Sequence, residues 1–357
     1  MTSSPPTSNP SLYTMTIGGD AAAAIATYPV INPATEQVLA EAPNCTRKQL
    51  DGAVTAARRA TPRATLRLGE LLRETLPAGV INVISGSGGL GSWLSNDRAQ
   101  DKISFTGSTA TGRDVMAGAA PTLTRITLEL GGNDPAIVLP DVDPEAVAEQ
   151  LFWAAFSNTG QICLATKRLY VHADVYDRLV TALAKLAKTV TVGDGTQEGV
   201  QIGPVSNRRQ YETVINLLQD TEANGYRFLT GGLPDNDEPG FFIRPTIIDN
   251  PPEQARIVRE EQFGPVLPVL KFDNLDDVIR RANDSQYGLG ASVWSADPDA
   301  ALQVAQRLEA GTVWVNEVMH LDPLVPFGGV KQSGVGVESG LAGLLEFTER
   351  QTITVKR

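Results

Sequence analysis

The stretch S-N-T-G-Q-I-C-L-A-T-K-R, from Ser157 to Arg168, places a cysteine in a polar turn that contains a glycine. The turn follows the apolar run L-F-W-A-A-F, residues 151–156. A buried structural cysteine packs as a small hydrophobe and normally lies within an apolar pattern. Cys163 does not lie in such a pattern. It is therefore a candidate nucleophile, and the alternative is a packed cysteine without chemistry.

A carboxylate lies 34 residues before this cysteine, in a segment with the apolar pattern of a β-strand. Glu129 belongs to I-T-L-E-L-G-G, residues 126–132, which ends in two glycines. An acid in such a segment is either exposed at the strand end or buried with a raised pKa and used as a base. Taken alone, the residue leaves both interpretations open.

The motif L-E-L-G-G, followed at this interval by G-Q-x-C-x-A, resembles the aldehyde dehydrogenase superfamily, and the resemblance extends from about Tyr28 to Arg357. It implies that Cys163 is the nucleophile and Glu129 the general base. It also implies an α/β fold of the aldehyde dehydrogenase type, in which a truncated Rossmann-like parallel-sheet cofactor domain accompanies an α/β catalytic domain.

A glycine turn precedes Glu129 and indicates a site for a dinucleotide. Residues 107–112 read G-S-T-A-T-G, after a predicted strand over 101–106 and before a predicted helix that ends near Ala119. A helix that begins at such a turn presents backbone N–H groups to a pyrophosphate, although the same pattern is common as a plain helix cap. The resemblance assigns Gly107, Ser108 and Gly112 to the cofactor, together with Leu130.

A second cofactor motif is E-E-Q-F-G-P, residues 260–265. The resemblance implies that Glu261 hydrogen-bonds the nicotinamide ribose and that Phe263 packs near the nicotinamide ring. The alternative is a solvated acidic turn. We expect NAD or NADP as the cofactor, and the residue that discriminates between them in the family is absent from this sequence.

The junction of Ala60 and Thr61 is the main departure from the family. Two predicted helices meet there, where the family has a segment of roughly a hundred residues, worth several βα units. That segment carries the P-W-N motif of the oxyanion site, the K-P-S/A motif that contacts the adenosine ribose, and part of the oligomerisation hairpin. We therefore expect an impaired cofactor domain and a weakened homo-oligomer.

Four ranges describe the expected domain organisation. Residues 1–15 are expected to be a disordered tail, 16–131 an incomplete cofactor-binding domain and 132–331 the catalytic domain. Residues 332–357 are expected to return along the molecule and to supply a strand for subunit pairing.

Composition limits the partners. The 357-residue chain carries a net charge of −11 without a basic block, which opposes binding to nucleic acid or to anionic membranes. Two distant cysteines and two histidines, His172 and His320, give neither a disulfide framework nor a metal site. No apolar run is long enough to span a bilayer. We expect a cytoplasmic protein that binds a small aldehyde.

Three hypotheses for function follow. The first is NAD(P)-dependent oxidation of an aldehyde through a cysteine hemithioacetal and thioester. The second is a catalytically impaired relative that binds a ligand or a homologue and has at most thiol-dependent esterase activity. The third is a product of aberrant splicing or gene prediction that does not fold as one unit, because an exposed sheet edge favours aggregation.

Several local predictions concern single elements. The β-branched run over 80–86 predicts a strand buried in a parallel sheet. Residues 241–248 and 352–355 are also predicted to be strands. A helix beginning at Thr61-Pro62 is predicted to bury a stripe formed by Leu66, Leu68, Leu71 and Leu72.

Overall fold

The computed structural model describes residues 13–17, 20–24, 26–46, 49, 62–86, 88–234 and 239–357. The predicted helix that follows Thr46 lies largely outside the described residues, as do residues 1–12 of the expected tail. The junction of Ala60 and Thr61 lies outside them as well. The chain divides into two compact units, residues 1–103 with 113–125, and residues 104–112 with 126–357.

The first unit contains two antiparallel strand pairs in its described part. Their strands are β1 (Met15–Ile17), β2 (Asp20–Ala22), β3 (Ala26–Ile31) and β4 (Val38–Asn44). A turn joins β3 to β4 as a hairpin, and in it the N–H of Asn32 donates to the carbonyl oxygen of Gln37 at 2.8 Å. After β4, Thr46 Oγ1 accepts the N–H of Gln49 at 3.3 Å, and Gln49 Oε1 accepts the N–H of Thr46 at 3.0 Å. This reciprocal pair has the form of a capping box.

Two helices of the first unit are α1 (Pro62–Arg73) and α2 (Gly88–Ser95). The predicted apolar stripe of α1 is only partly correct: Leu66 is buried, but Leu68 and Leu71 are exposed. Gly69, not Leu68, shares the buried face, and a Cβ at Gly69 would lie 2.8 Å from Val83. The helix therefore approaches its neighbour through a residue without a side chain.

The strand predicted over residues 80–86 is wrong. Val83 forms only an isolated antiparallel bridge with Thr16, through two backbone hydrogen bonds of 2.9 Å. Ile84 is fully buried, whereas Val80 is exposed. The β-branched composition reflected burial of individual side chains, and no continuous ladder forms along this segment in the described part of the chain.

The second unit is built on a seven-stranded sheet in the order β13-β12-β7-β8-β11-β10-β9. All neighbours are parallel except β9 and β10. The strands are β7 (Asp134–Val138), β8 (Thr166–His172), β9 (Arg227–Thr230), β10 (Thr246–Asp249), β11 (Val266–Phe272), β12 (Gly290–Trp294) and β13 (Thr312–Val315).

Helices cover this sheet and bury its two faces, which explains why residues 136–138 of β7 and 169–171 of β8 form apolar runs without alternation. Leu169 and Val171 of β8 belong to one core cluster, whereas Tyr170 belongs to the other. The helices are α4 (Pro144–Phe156), α5 (Ala173–Thr189), α6 (Arg208–Ala223), α7 (Arg256–Arg259), α8 (Leu275–Asn283) and α9 (Pro298–Ala305).

A smaller sheet has the order β14-β6-β5, with β5 at Lys102–Thr106, β6 at Arg125–Glu129 and β14 at Gly334–Val335. Helix α3 (Thr109–Ala119) follows β5, as predicted, and α10 spans Gly340–Leu345. No helix within the described residues combines the length and apolarity needed to cross a membrane.

Two further strand predictions need correction. Within residues 241–248, only Thr246–Ile248 lies in a strand, which continues to Asp249, because β10 pairs with β11 from Thr246 onward. The segment Thr352–Val355 forms no strand within the described chain, and its Ile353 is exposed. A strand requires a hydrogen-bonding partner, so pairing of this segment with another subunit stays a prediction.

Candidate active site

The loops that precede adjacent parallel strands lie at one edge of the main sheet. Residues 131–133 precede β7, the cysteine loop precedes β8, and residues 260–265 precede β11. Strands β7, β8 and β11 are neighbours in that sheet. Because parallel strands begin at the same edge, these three segments meet there.

The cysteine loop contacts the E-E-Q-F-G-P segment through glycine. Asn158, Thr159 and Gly160 have φ angles of 50°, 60° and 69°, so the chain turns through left-handed conformations before Cys163. A Cβ at Gly160 would collide with the carbonyl group of Gly264. Glycine at this position therefore permits close approach of the two backbones.

Gly132 brings the segment after Glu129 against the same loop. A Cβ at Gly132 would lie 2.9 Å from the carbonyl oxygen of Cys163 and 3.0 Å from the Cβ of Leu289. The N–H of Gly132 donates to Glu261 Oε1 at 3.1 Å, and Gly131 packs directly on the same carboxylate. Three motifs predicted from separate parts of the sequence are thus in mutual contact.

The Cys163 thiol is half-buried. Burial raises the pKa of Cys163 above its ordinary value, and the positive charge of Lys167 acts in the opposite direction. The N–H of Leu164 also stabilises the thiolate and lowers the pKa. The resting thiol is therefore mainly protonated at neutral pH and needs help to become a nucleophile.

Glu129 is buried, with 4% of its surface exposed, so the interpretation as a solvated strand-end residue is wrong. Neither carboxyl oxygen has a hydrogen-bond partner within the described part of the protein. Burial raises the pKa of Glu129 to about 8, and the charge of Glu338 adds to this effect. Such a group is protonated near neutral pH and exchanges its proton within the physiological range.

The turn over residues 107–112 joins β5 to α3. Gly107 donates its N–H to the carbonyl oxygen of Glu129 at 2.9 Å, and exposed Ser108 accepts the N–H of Thr111 at 3.3 Å through Oγ. Gly112 is buried, and a Cβ there would lie 2.8 Å from Cδ1 of Leu130. Gly112 therefore allows α3 to pack closely against the Leu130 side chain. Contacts of Gly107, Ser108, Gly112 and Leu130 with a cofactor stay predictions.

Phe263 has a φ angle of 45°, which is unusual for a residue with a bulky side chain. The amide of Gln210 holds this conformation, because its Nε2 donates to the carbonyl oxygens of Gln262 and Phe263 at 2.9 and 3.1 Å. Glu261, two positions earlier, has a pKa raised by burial and lowered by Lys167. The motif is therefore a partly buried, constrained turn and not a solvated acidic one.

Sequence reasoning missed three charged residues of this region. Lys167 and Asp134 are 2% and 4% exposed and lie at or near the beginning of β8 and β7. Burial raises the pKa of Asp134 to about 7, and Lys167 opposes this shift. Glu338, the third, acts on Glu129. A charge beside an apolar strand segment was the sequence signal for the first two, whereas nothing local marks Glu338.

A loop near the C-terminus completes the surroundings of Glu129. The N–H of Leu130 donates to the carbonyl oxygen of Ser333 at 2.8 Å, and Ser333 Oγ donates to the carbonyl oxygen of Gly131 at 2.6 Å. Gly334 pairs with Glu129 in the antiparallel pair of β14 and β6. The described residues contain no group of three or more histidine, cysteine or acidic side chains able to hold a metal ion.

The family model described as "Aldehyde dehydrogenase family" matches residues 59–353. The chain belongs to the aldehyde dehydrogenase family. Among its relatives, the putative aldehyde dehydrogenase FUS7 of Gibberella moniliformis is 45% identical over 295 residues, which are 83% of this chain and 62% of the relative. The phenylacetaldehyde dehydrogenase of Pseudomonas fluorescens is 41% identical over 298 residues, 83% of this chain and 59% of that protein.

The fold agrees with that of solved family members. An aldehyde dehydrogenase from Bacillus cereus, solved as an NAD+ complex, superposes with a TM-score of 0.90 at 29% identity and covers 94% of this chain and 95% of that chain. The predicted α/β fold of the aldehyde dehydrogenase type is thereby confirmed. This aldehyde dehydrogenase chain spans about three fifths of the length of the curated relatives that it matches.

Proposed function

We propose that this chain oxidises an aldehyde to a carboxylic acid with NAD+ or NADP+, by way of a thioester on Cys163. One observation carries the proposal: the cysteine loop, the Gly131–Gly132 turn that continues from Glu129, and the Glu261 carboxylate lie in mutual contact. Family membership supports the same reaction class.

The residues fit a nicotinamide dinucleotide. Gly107 and Ser108 stand at the beginning of α3, where the helix dipole favours an anion and would hold the phosphates. Glu261 would accept hydrogen bonds from the ribose hydroxyl groups. A carboxylate can accept several hydrogen bonds, and within the described residues Glu261 accepts one from the N–H of Gly132. Phe263 and Leu130 would border the nicotinamide end. The bound cofactor supplies a hydride acceptor.

The chain's own residues perform the covalent steps. After the Cys163 thiol has released its proton to solvent, the thiolate adds to the aldehyde carbon and forms a tetrahedral hemithioacetal. Its C–H hydrogen leaves as hydride, and its carbon becomes the carbonyl carbon of a thioester. Glu129, once ionised, takes a proton from water, and the resulting hydroxide attacks the thioester carbon. The carbon–sulfur bond then breaks, the carboxylic acid departs, and the thiolate sulfur takes the proton that Glu129 had removed from water.

The second candidate function is hydrolysis of activated esters without a cofactor. The observation that favours it is the lack of a P-W-N motif in the sequence. Loss of one oxyanion donor typically costs about 10²–10³ in rate. Hydrolysis of an ester would use Cys163 as the nucleophile and Glu129 as the base, without a hydride acceptor.

The test compares both reactions on the purified chain. Nicotinamide absorbance is followed with NAD+ or NADP+ and a panel of aldehydes, which includes phenylacetaldehyde because a relative carries that name. Release of nitrophenol from nitrophenyl acetate is followed without cofactor. We expect both signals, and C163A should lower both about 10³-fold or more. C45A, which changes the other cysteine, is the matched control.

Ester cleavage without aldehyde-dependent reduction would contradict the first function and support the second. Activity that survives in C163A but not in C45A would contradict both. Aggregation without either activity would instead support the hypothesis of a chain that does not fold as one unit.

A further inference from the structure

We propose that Lys167 is a positioning residue that fixes the Cys163 loop and the Glu261 carboxylate relative to each other. This inference rests on the proposed function, because it concerns the residues assigned to covalent chemistry and to cofactor binding. Lys167 lies outside both motifs that predicted those residues.

The backbone directs Lys167 toward the loop. In the parallel pair of β7 and β8, Asp134 pairs with Thr166 and Pro135 pairs with Arg168, so Lys167 is an extra residue in β8. An extra residue of this kind forms a β-bulge, which redirects a side chain and often lies beside an active site. The bulge explains how a strand residue reaches back over the loop that precedes its own strand.

The Lys167 ammonium group donates hydrogen bonds to that loop. Nζ donates to the carbonyl oxygens of Ile162 at 3.0 Å and Cys163 at 2.7 Å, with a longer contact of 3.4 Å to Ala165. An ammonium group has three N–H donors, and these carbonyl groups accept all of them. The turn that contains Cys163 is therefore wrapped around one buried cation.

The same cation faces Glu261. Nζ lies 3.7 Å from Glu261 Oε1, which is too long for a hydrogen bond but close enough for a strong charge interaction. That oxygen accepts the N–H of Gly132, whose Cα lies against the Cys163 carbonyl group. Lys167 thus links the cysteine loop to the carboxylate, and the glycine turn joins them on the other side.

Burial makes this arrangement sensitive to the loss of charge. Lys167 is 2% exposed, and its electrostatic neighbours include the buried carboxyl group of Asp134 as well as Glu261. A buried cation with carboxylate neighbours interacts more strongly than a surface ion pair, because water does not screen it. An apolar side chain would leave the loop carbonyl groups without donors, and any uncharged side chain would leave the carboxylates without a counter-charge.

The experiment compares K167M, K167R and K167Q with the exposed control K185M. The deciding measurement is the rate of Cys163 alkylation by iodoacetamide as a function of pH, without cofactor, with the modified peptide identified by mass spectrometry. We expect K167M and K167Q to alkylate about tenfold more slowly near neutral pH and with a midpoint about one unit higher. K167R, which keeps the charge, should restore much of the rate.

A second measurement addresses Glu261 by titration of NAD+ against protein fluorescence. K167M and E261Q should each weaken binding several-fold, and the double variant should be little weaker than either one. K185M should match the wild type in both measurements.

An unchanged alkylation profile in folded K167M or K167Q would overturn the proposal, even if the variant were less stable, because it would leave Lys167 only a structural role. Additive effects of K167M and E261Q on NAD+ binding would overturn its second half. If K167M does not fold, K167R and K167Q carry the comparison. Failure of the wild type to oxidise aldehydes would instead refute the proposed function and leave the alkylation result interpretable.

Discussion

The charge of Glu338 acts on the buried carboxyl group of Glu129, although 208 residues separate them in the sequence. The link is structural: β14 pairs with β6, and the chain after Val335 brings Glu338 into range. Glu338 is held in place by Ser104, whose Oγ donates to Glu338 Oε1 at 2.9 Å. Like charges disfavour the ionised form, so this arrangement helps Glu129 to retain a proton.

Glu129 should impose a pH dependence on stability. Its pKa is about 8 in the folded protein against an ordinary value of 4.5, so between these values the folded protein holds a proton that the unfolded chain has released. The free energy of unfolding therefore falls as pH rises through this window, by about 1.4 kcal/mol per pH unit from this group. In E129Q this contribution is absent, and urea unfolding at intervals from pH 5 to pH 8 should show a flatter dependence. The exposed variant E149Q should retain the wild-type slope, and an equal slope in E129Q would contradict the assignment.

Removal of the charge at position 338 should lower the pKa of Glu129. In E338Q the pKa remains above its ordinary value, because burial is the larger of the two causes. In the proposed mechanism deacylation requires ionised Glu129, so the pH at which ester hydrolysis reaches half its maximal rate should move to lower pH. Steady-state ester hydrolysis across the pH range measures this midpoint, with E149Q as the control. A midpoint that rises or stays in place would refute the interaction.

Gly132 should not tolerate a side chain. In G132A the new Cβ would lie 2.9 Å from the Cys163 carbonyl oxygen and 3.0 Å from the Cβ of Leu289, distances that force the loop to move. We expect a loss of about 1–3 kcal/mol in stability and slower alkylation of Cys163. Gly195 faces open space and has no left-handed φ, so G195A should change stability by no more than about 0.5 kcal/mol. Equal behaviour of the two variants would show that Gly132 does not contact the loop.

Ser333 should contribute to stability through its hydroxyl group. It is fully buried, donates to the Gly131 carbonyl oxygen at 2.6 Å and accepts the N–H of Gly288 at 3.0 Å. S333A leaves both backbone groups unsatisfied, and the expected cost is about 1–3 kcal/mol in urea unfolding. The exposed helix residue Ser92 provides the control variant S92A. A cost in S333A no larger than in S92A would mean that water replaces the hydroxyl group.

Motif spacing predicted much of this region because its chemistry depends on residue types that are unusual in their local patterns. A cysteine in a polar turn and an acid in an apolar strand made Cys163 and Glu129 candidates, and the resemblance of the two motifs to the family assigned their roles. The environment of Glu129 stayed open, because a strand-end residue and a buried one have the same local pattern. Contacts with residues that are distant in the sequence bury the Glu129 side chain, and the sequence pattern around Glu129 does not show these contacts.

Local patterns failed where an element depends on its neighbours. The run over 80–86 has strand composition, but only Val83 forms a bridge. Leu68 and Leu71 of α1 are exposed because a glycine, not a leucine, lies on the buried face. β-propensity and an apolar stripe describe what a segment can bury, and tertiary contacts select which side chains are buried.

By itself, the sequence determined the family, the α/β class, and the nucleophile and base candidates, because these depend on motifs and on the interval between them. Only the tertiary structure decided three relationships. Lys167 donates hydrogen bonds to the cysteine loop, the charge of Glu338 raises the pKa of Glu129, and Glu261 accepts the N–H of Gly132. These relationships arise because adjacent parallel strands begin at one sheet edge and because a late strand returns to pair with β6. Sequence distance gives no information about either arrangement until the sheet order is known.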